Sequence, residues 1–321
     1  MDKDIIVIGG GLAGAEAAYQ IAKRGIKVKL YEMKPDKFSP AHSNKNLAEI
    51  VCSNSFKSNL HTNACGLLKE ELRKLDSLLI KIADETSVPA GQALAVDREI
   101  FSKRVTEKLE KMENITIIEE VGKDKAVTLK DLCKDNIVII ATGPLTSNSL
   151  SEEILELTSE NDLHFYDAAA PIVAKDSINM NIAFYGNRSR EELIEKADLE
   201  ENTVDEIINI LKAEFEEERK HQKNSKEASY INLPMNKEEY EKFWNELVNA
   251  EVVTLHDFEK KEIFEGCMPV EIMAKRGVDT LRFGPLKPVG FDDPRTAKRP
   301  YAVVQLRQDD TQASLYNLVG F

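Results

Sequence analysis

The chain has 321 residues, 43 Lys and Arg against 56 Asp and Glu, a formal net charge of −13, and 42% hydrophobic residues. This composition excludes a disordered chain, and the length predicts two packed units rather than one. No apolar run reaches the roughly eighteen residues that a bilayer crossing needs, and Met1-Asp2-Lys3-Asp4 carries no basic leader region, so a cytoplasmic protein without a membrane partner is expected. The acidic balance argues against nonspecific nucleic-acid binding, although local basic clusters can override the average.

Asp4 to Ile8 reads as a buried strand and runs directly into Gly9-Gly10-Gly11-Leu12-Ala13-Gly14. A helix is predicted from Ala15 to about Arg24, stopped by Gly25, and Val28, Leu30 and Glu32 alternate as a second strand ending in a carboxylate. This is a full βαβ dinucleotide fingerprint, with Glu32 eighteen residues after the last glycine. Gly9 permits the tight turn, Gly11 lets backbone approach a pyrophosphate, and Gly14 lets the helix pack on the strand. The amides of Gly10, Leu12 and Ala13 lie at the positive end of the helix dipole, where phosphates bind. Glu32 is placed to accept from ribose hydroxyls and repels a 2′-phosphate. The motif alone does not separate FAD from NAD.

Asn63 to Ile82 and Ile100 to Met112 show helical periodicity, with Asp97-Arg98 flanking the start of the second helix. Asn136 to Ile140 is a further buried strand, ending in Ala141-Thr142-Gly143. This turn resembles the one that closes over the cofactor in two-dinucleotide-type flavoproteins, a resemblance that selects FAD and implies contacts from Thr142 and Gly143. From about residue 166 the texture changes. Residues 187–227 hold eight cations and thirteen acids, predicting an exposed charged helical hairpin. Residues 267–307 reverse the sign, with eight cations against four acids and β-like runs such as Tyr301 to Leu306. Such a region suits a phosphate-bearing substrate.

The four cysteines, Cys52, Cys65, Cys133 and Cys267, form no CxxC pair, so neither a disulfide framework nor a metal site is expected. Cys65, on a helix, and Cys133, before a core strand, read as buried inert thiols. Cys52 lies among Ser53, Asn54 and Ser55, a polar setting for a partly exposed thiol, and Cys267 follows a glycine in the basic stretch. His42 is assigned to the neighbourhood of the cofactor, whereas His61 reads as a surface histidine.

Many strings together carry a family resemblance: Glu32-Met33-Lys34-Pro35, Phe38-Ser39-Pro40-Ala41-His42, Val51-Cys52-Ser53-Asn54-Ser55, Val88-Pro89-Ala90-Gly91, Ala141-Thr142-Gly143-Pro144, Phe264-Glu265-Gly266-Cys267-Met268-Pro269, Arg282-Phe283-Gly284-Pro285 and Lys298-Arg299-Pro300-Tyr301. With these the chain resembles, over nearly its whole length, the TrmFO family of folate- and FAD-dependent tRNA (uracil-5-) methyltransferases, cousins of the flavoprotein GidA. The resemblance implies an α/β fold: a Rossmann-type, glutathione-reductase-like FAD-binding domain over residues 1–165 and an α+β insertion domain over 166–321. It also implies 5-methyluridine formation in the T-loop of tRNA, with 5,10-methylenetetrahydrofolate as carbon donor, reduced FAD as reductant and NAD(P)H to recharge the flavin. The family's two functional cysteines map onto Cys52 and Cys267, with the division between nucleophile and acid/base left open. Lys275, Arg276 and Arg282 become candidate phosphate contacts, and no stable protein partner is implied. Two departures stand out: residues 187–227 are longer than the family's corresponding stretch, and the family continues beyond Leu318-Val319-Gly320-Phe321 into a returning piece of the flavin domain. A ribosomal-RNA methyltransferase and an inactive partial flavoprotein are the alternatives.

Overall fold

The computed structural model describes residues 5–39, 41–118, 128–158, 170–187, 229–251 and 268–320, which fall into two compact units. The first holds the described residues of 5–88 and 92–158, the second those of 89–91, 170–251 and 268–320. The predicted charged hairpin and Cys267 lie outside the described residues, apart from Asn187.

The first unit starts with β1 (Ile5–Ile8), α1 (Leu12–Lys23) and β2 (Val28–Tyr31), and continues through β3 (Ser55–Ser58), α2 (Ala64–Lys74), α3 (Leu78–Glu85), β4 (Ser87–Val88) and β5 (Ala93–Val96). It ends with α4 (Arg98–Glu110), β6 (Ile115–Ile118), α5 (Leu129–Asp135), β7 (Ile137–Ile140) and α6 (Asn148–Thr158). The main sheet has the order β6-β2-β1-β7 with every pairing parallel, and β3-β5-β4 form a small antiparallel sheet. β1 is continuously apolar because both of its faces are covered. Val7 packs with Ala15, Ala18, Phe101 and Val105, while Ile6 and Ile8 pack with Leu129 and Leu132. Helices on both faces of a parallel sheet make this unit a Rossmann-type α/β layer structure. Ala15, Ala18 and Ala22 keep the buried stripe of α1 narrow, so the helix lies close to the sheet.

The helix predicted over 63–82 is two helices. Asp76 sits at φ 56, Ser77 caps α3 by accepting from the Ile80 N–H, and Leu75 is exposed. The leucine periodicity crosses this break without revealing it, because the capping side chain overrides it locally. Cys133 is exposed, contrary to the buried position expected: Leu129 and Leu132 fill the inner face of the short α5 and turn Cys133 outward. Cys65 is half-buried rather than buried.

The second unit is a five-stranded antiparallel sheet in the order β8 (Ile172–Ala174), β12 (Leu315–Leu318), β11 (Ala302–Gln308), β10 (Tyr230–Met235), β9 (Phe184–Tyr185). The helices α7 (Lys237–Asn249), α8 (Val270–Lys275) and α9 (Thr280–Phe283) pack on one face through Tyr240, Ala274, Leu281, Ile231, Val304 and Leu306. Tyr240 is wholly buried and donates to the Val278 carbonyl at 2.5 Å, and burial pushes its phenol up to about 12. The predicted strand at 301–306 is β11.

A charged staple holds the turn after Phe291 to the start of α7. Arg295 donates through Nε and Nη2 to the buried Asp293 carboxylate at 3.0 and 2.8 Å, through Nη2 to the Pro234 carbonyl, and through Nη1 to Glu239. The guanidinium holds the Asp293 and Glu239 carboxyls below their ordinary values. A lowered folded-state pKa contributes stability above the ordinary carboxylate range that is lost as pH falls through the folded value. Asp293→Asn is therefore expected to cost about 2 kcal/mol near neutrality and to flatten the acid-side stability profile of this unit. Chemical denaturation across acidic pH checks this, and a variant with unchanged midpoint and slope contradicts it.

Candidate functional site

The glycine loop is shaped by contacts that only glycine allows. Gly9 has φ +98, its N–H donates to the Tyr31 carbonyl at 2.8 Å, and a Cβ there would stand 2.6 Å from the Ala141 carbonyl oxygen. The Ala141-Thr142 turn thus packs directly on the first glycine, and the Ala141 N–H closes the junction by donating to the Ile8 carbonyl at 2.8 Å. A Cβ on Gly14 would lie 1.8 Å from the Gly9 carbonyl oxygen, which is how closely α1 meets the loop. Gly11 is different. It caps α1 without a side chain, and among the described residues nothing lies within 4 Å of where its Cβ would stand. The first-turn amides of α1, which no helix satisfies internally, lie beside this space, with Ala13 exposed and Leu12 half-buried.

Glu32 is buried immediately beyond β2. Its Oε2 accepts from the Gly10 N–H at 2.8 Å and its Oε1 from the Lys34 N–H at 3.0 Å. The carboxylate therefore orients the glycine loop itself, a role the spacing does not disclose. At the other strand end, Gly143 has φ +67, and the Thr142 and Thr146 hydroxyls hydrogen-bond at 2.6 Å.

The loop carrying His42 and Cys52 is anchored on this cradle. The Ala48 N–H donates to the Gly10 carbonyl at 2.8 Å, and buried Leu47 covers Gly10. Buried Lys34 pairs with Glu49 at 3.3 Å and donates to the carbonyls of Asn44 and Asn46, while Glu49 accepts from the Ser43 and Asn44 amides. His42 Nδ1 lies 2.5 Å from Ser39 Oγ. Cys52 is exposed. Its backbone is clamped on both sides: Arg98 Nη1 donates to the Ile50 and Cys52 carbonyls at 3.5 and 3.2 Å, and wholly buried Asn54 exchanges hydrogen bonds with Val96. Asp97 is the N-cap of α4 and Arg98 its first residue, as their place at the helix start suggests, and the Arg98 side chain reaches back to the cysteine loop. Arg98→Ala is expected to speed amide exchange over residues 50–53 about tenfold, with Arg98→Lys intermediate. Unchanged exchange in Arg98→Ala contradicts the clamp.

In the second unit, Arg282 is engaged internally. Its Nη1 donates to Asp279 at 2.7 Å, its Nε to the Tyr301 carbonyl at 3.1 Å, and its guanidinium lies 3.5 Å from the Tyr301 ring centre. Lys275 and Arg276, at the end of α8, are exposed. A buried polar ladder on the face of this sheet opposite its core has no local signal in the sequence, because its partners come from separate strands. There Gln305 donates to Asn232, and Arg307 donates to Asn317, which donates to Asp309. Among the described residues no cluster of His, Cys, Asp or Glu is arranged to hold a metal, and no helix is long and apolar enough to cross a membrane.

A parallel sheet with a βαβ glycine loop and a buried acid just past β2 defines a Rossmann-type α/β fold. A family model described as glucose inhibited division protein A matches residues 4–220 and 204–321, and the chain belongs to that family. It is 51% identical over 321 residues to the Methylenetetrahydrofolate--tRNA-(uracil-5-)-methyltransferase TrmFO of Lactobacillus helveticus, covering all of this chain and 69% of that protein. It is 55% identical over 317 residues to the protein of the same name from Acetivibrio thermocellus, covering 99% of this chain and 63% of the relative. A third, from Lactobacillus johnsonii, is 52% identical over 321 residues, with 64% of its length covered. The chain thus spans 63% to 69% of the length of these relatives.

Proposed function

We propose that the chain is the flavin-binding and substrate-binding part of a cytoplasmic tRNA (uracil-5-) methyltransferase that uses FAD and 5,10-methylenetetrahydrofolate. The observation that carries this reading is the anchoring of the Cys52 loop on the glycine loop, through the Ala48 to Gly10 hydrogen bond and the Lys34–Glu49 pair. One framework thereby sets both a nucleotide cradle and an exposed thiol. The 50% or higher identity to proteins named for this activity supports the same reading.

The cradle fits FAD. The open space over Gly11 admits a pyrophosphate to the amides of Leu12 and Ala13. Each Glu32 oxygen keeps a lone pair for a ribose hydroxyl beyond the backbone N–H it already accepts. Thr142 and Gly143 border the same strand ends, with His42 on the adjoining loop. In this reading the first unit is the glutathione-reductase-like flavin domain, and the second is the insertion domain that meets RNA through Lys275 and Arg276.

Uracil C5 becomes nucleophilic only after addition at C6. One thiolate of the Cys52 and Cys267 pair forms a C–S bond at C6, and C5 attacks the methylene carbon of methylenetetrahydrofolate with opening of one of its C–N bonds, the other breaking as the C5 proton is lost and tetrahydrofolate leaves. The other cysteine serves the C5 proton, and elimination of the thiolate restores the ring. Bound in the cradle, reduced FAD would supply the electron pair that turns the methylene into a methyl group, and NAD(P)H would recharge it. Incubation with labelled methylenetetrahydrofolate, NADPH, FAD and separate tRNA and rRNA transcripts tests the substrate: label in tRNA is expected, and label in rRNA alone overturns the assignment.

A further inference from the structure

Phe283 is 81% exposed, the most exposed large hydrophobic side chain among the described residues. It ends the short α9, and its neighbours in the chain are basic. Between residues 275 and 287 there are four cations, Lys275, Arg276, Arg282 and Lys287, and one acid, Asp279, which is paired with Arg282 at 2.7 Å. Lys275, Arg276 and Lys287 are all exposed. An exposed aromatic ring flanked in the chain by cations, on a protein of net charge −13, marks a local sign reversal suited to an anionic partner.

The chain on either side of the ring is anchored. The Arg282 guanidinium stacks 3.5 Å from the Tyr301 ring centre and lies 5.9 Å from that of Phe283. Asp279 and the Tyr301 carbonyl fix that guanidinium from two other directions. Leu281 and Leu286, both wholly buried, anchor the chain on either side of Phe283. The result is an aromatic side chain presented on an anchored turn, with cations before and after it in the chain. Exposed rings combined with tracking cations are how proteins hold unpaired nucleobases: the ring stacks on the base, and the cations follow the phosphates.

We propose that Phe283 is a nucleobase-stacking residue for the RNA substrate, with Lys275, Arg276 and Lys287 along the phosphates. This rests on the tRNA-methyltransferase reading above and adds a specific contact to it. An RNA is favoured over a protein partner because the exposed residues flanking Phe283 in the chain are cationic rather than apolar. Stacking involves no ion release, so the ring contributes to affinity without contributing to the salt slope.

The test is binding of an unmodified tRNA transcript to the full chain, by filter retention over a range of salt concentrations. Phe283→Ala is expected to weaken binding about tenfold with an unchanged salt slope and an unchanged thermal midpoint. Phe283→Trp is expected to restore binding, and its added indole fluorescence to be quenched by the transcript beyond the response of the wild type, whose sole tryptophan is Trp244. Equal affinity of wild type and Phe283→Ala overturns the stacking role. So does equal RNA affinity accompanied by loss of a concentration-dependent dimer in the variant, which would give the ring to a second copy of the chain. Absence of RNA binding by the wild type instead defeats the underlying functional reading.

Discussion

Gly14→Ala is expected to unseat α1 and abolish flavin retention. The added methyl would stand 1.8 Å from the Gly9 carbonyl oxygen, with Val7 Cγ1 at 3.3 Å, and the nearest atom is backbone that cannot rotate away. Relief requires moving the helix off β1, which also breaks the packing of Ala15 and Ala18 on Val7. Overpacking against fixed backbone costs about 3 kcal/mol or more. The measurement is thermal unfolding alongside bound-flavin absorbance. Gly11→Ala is the matched control: its methyl meets nothing within 4 Å among the described residues, and its φ of −69 suits any residue. That variant should fold, losing only about 1 kcal/mol for an alanine at the N-cap. It should still bind flavin more weakly, because the methyl occupies the space where a pyrophosphate approaches the amides. Equal behaviour of the two variants contradicts the cradle.

Cys52→Ala is expected to lower methyl transfer by about 10²-fold or more, whether the thiol adds to C6 or moves the C5 proton. Flavin content should stay at the parent level, since Arg98 holds this loop through the Cys52 carbonyl, which alanine keeps. Cys267→Ala should behave likewise. Cys133→Ala is the informative comparison because Cys133 is also exposed, on the outer side of α5, and exposure alone would make it equally reactive. It should retain activity. Full methylation by Cys52→Ala removes the cysteine pair from the mechanism.

What could be read from the sequence was local. The strand, glycine loop, helix and second strand declare themselves within about thirty residues because their periodicity, glycines and terminal acid all act on near neighbours. Gly25, at φ +78, ends the first helix where the sequence places the stop. What escaped depends on partners distant in the chain. Lys34 and Glu49 look like surface charges until the loop folds back and buries them together. Arg98 looks like a helix-start cation, yet its partners are the carbonyls of Ile50 and Cys52. Arg282 reads as a phosphate contact from composition alone, whereas its guanidinium is committed to Asp279 and Tyr301, and the exposed group is its neighbour Phe283. Periodicity also failed where a capping side chain interrupts it, at Asp76 and Ser77 between α2 and α3.

The most direct measurement is nucleoside analysis of an unmodified tRNA transcript after incubation with the chain, FAD, NADPH and methylenetetrahydrofolate. The account predicts 5-methyluridine in the T-loop, dependent on Cys52. A flavin-loaded protein that binds the transcript and returns every uridine unmethylated would contradict it.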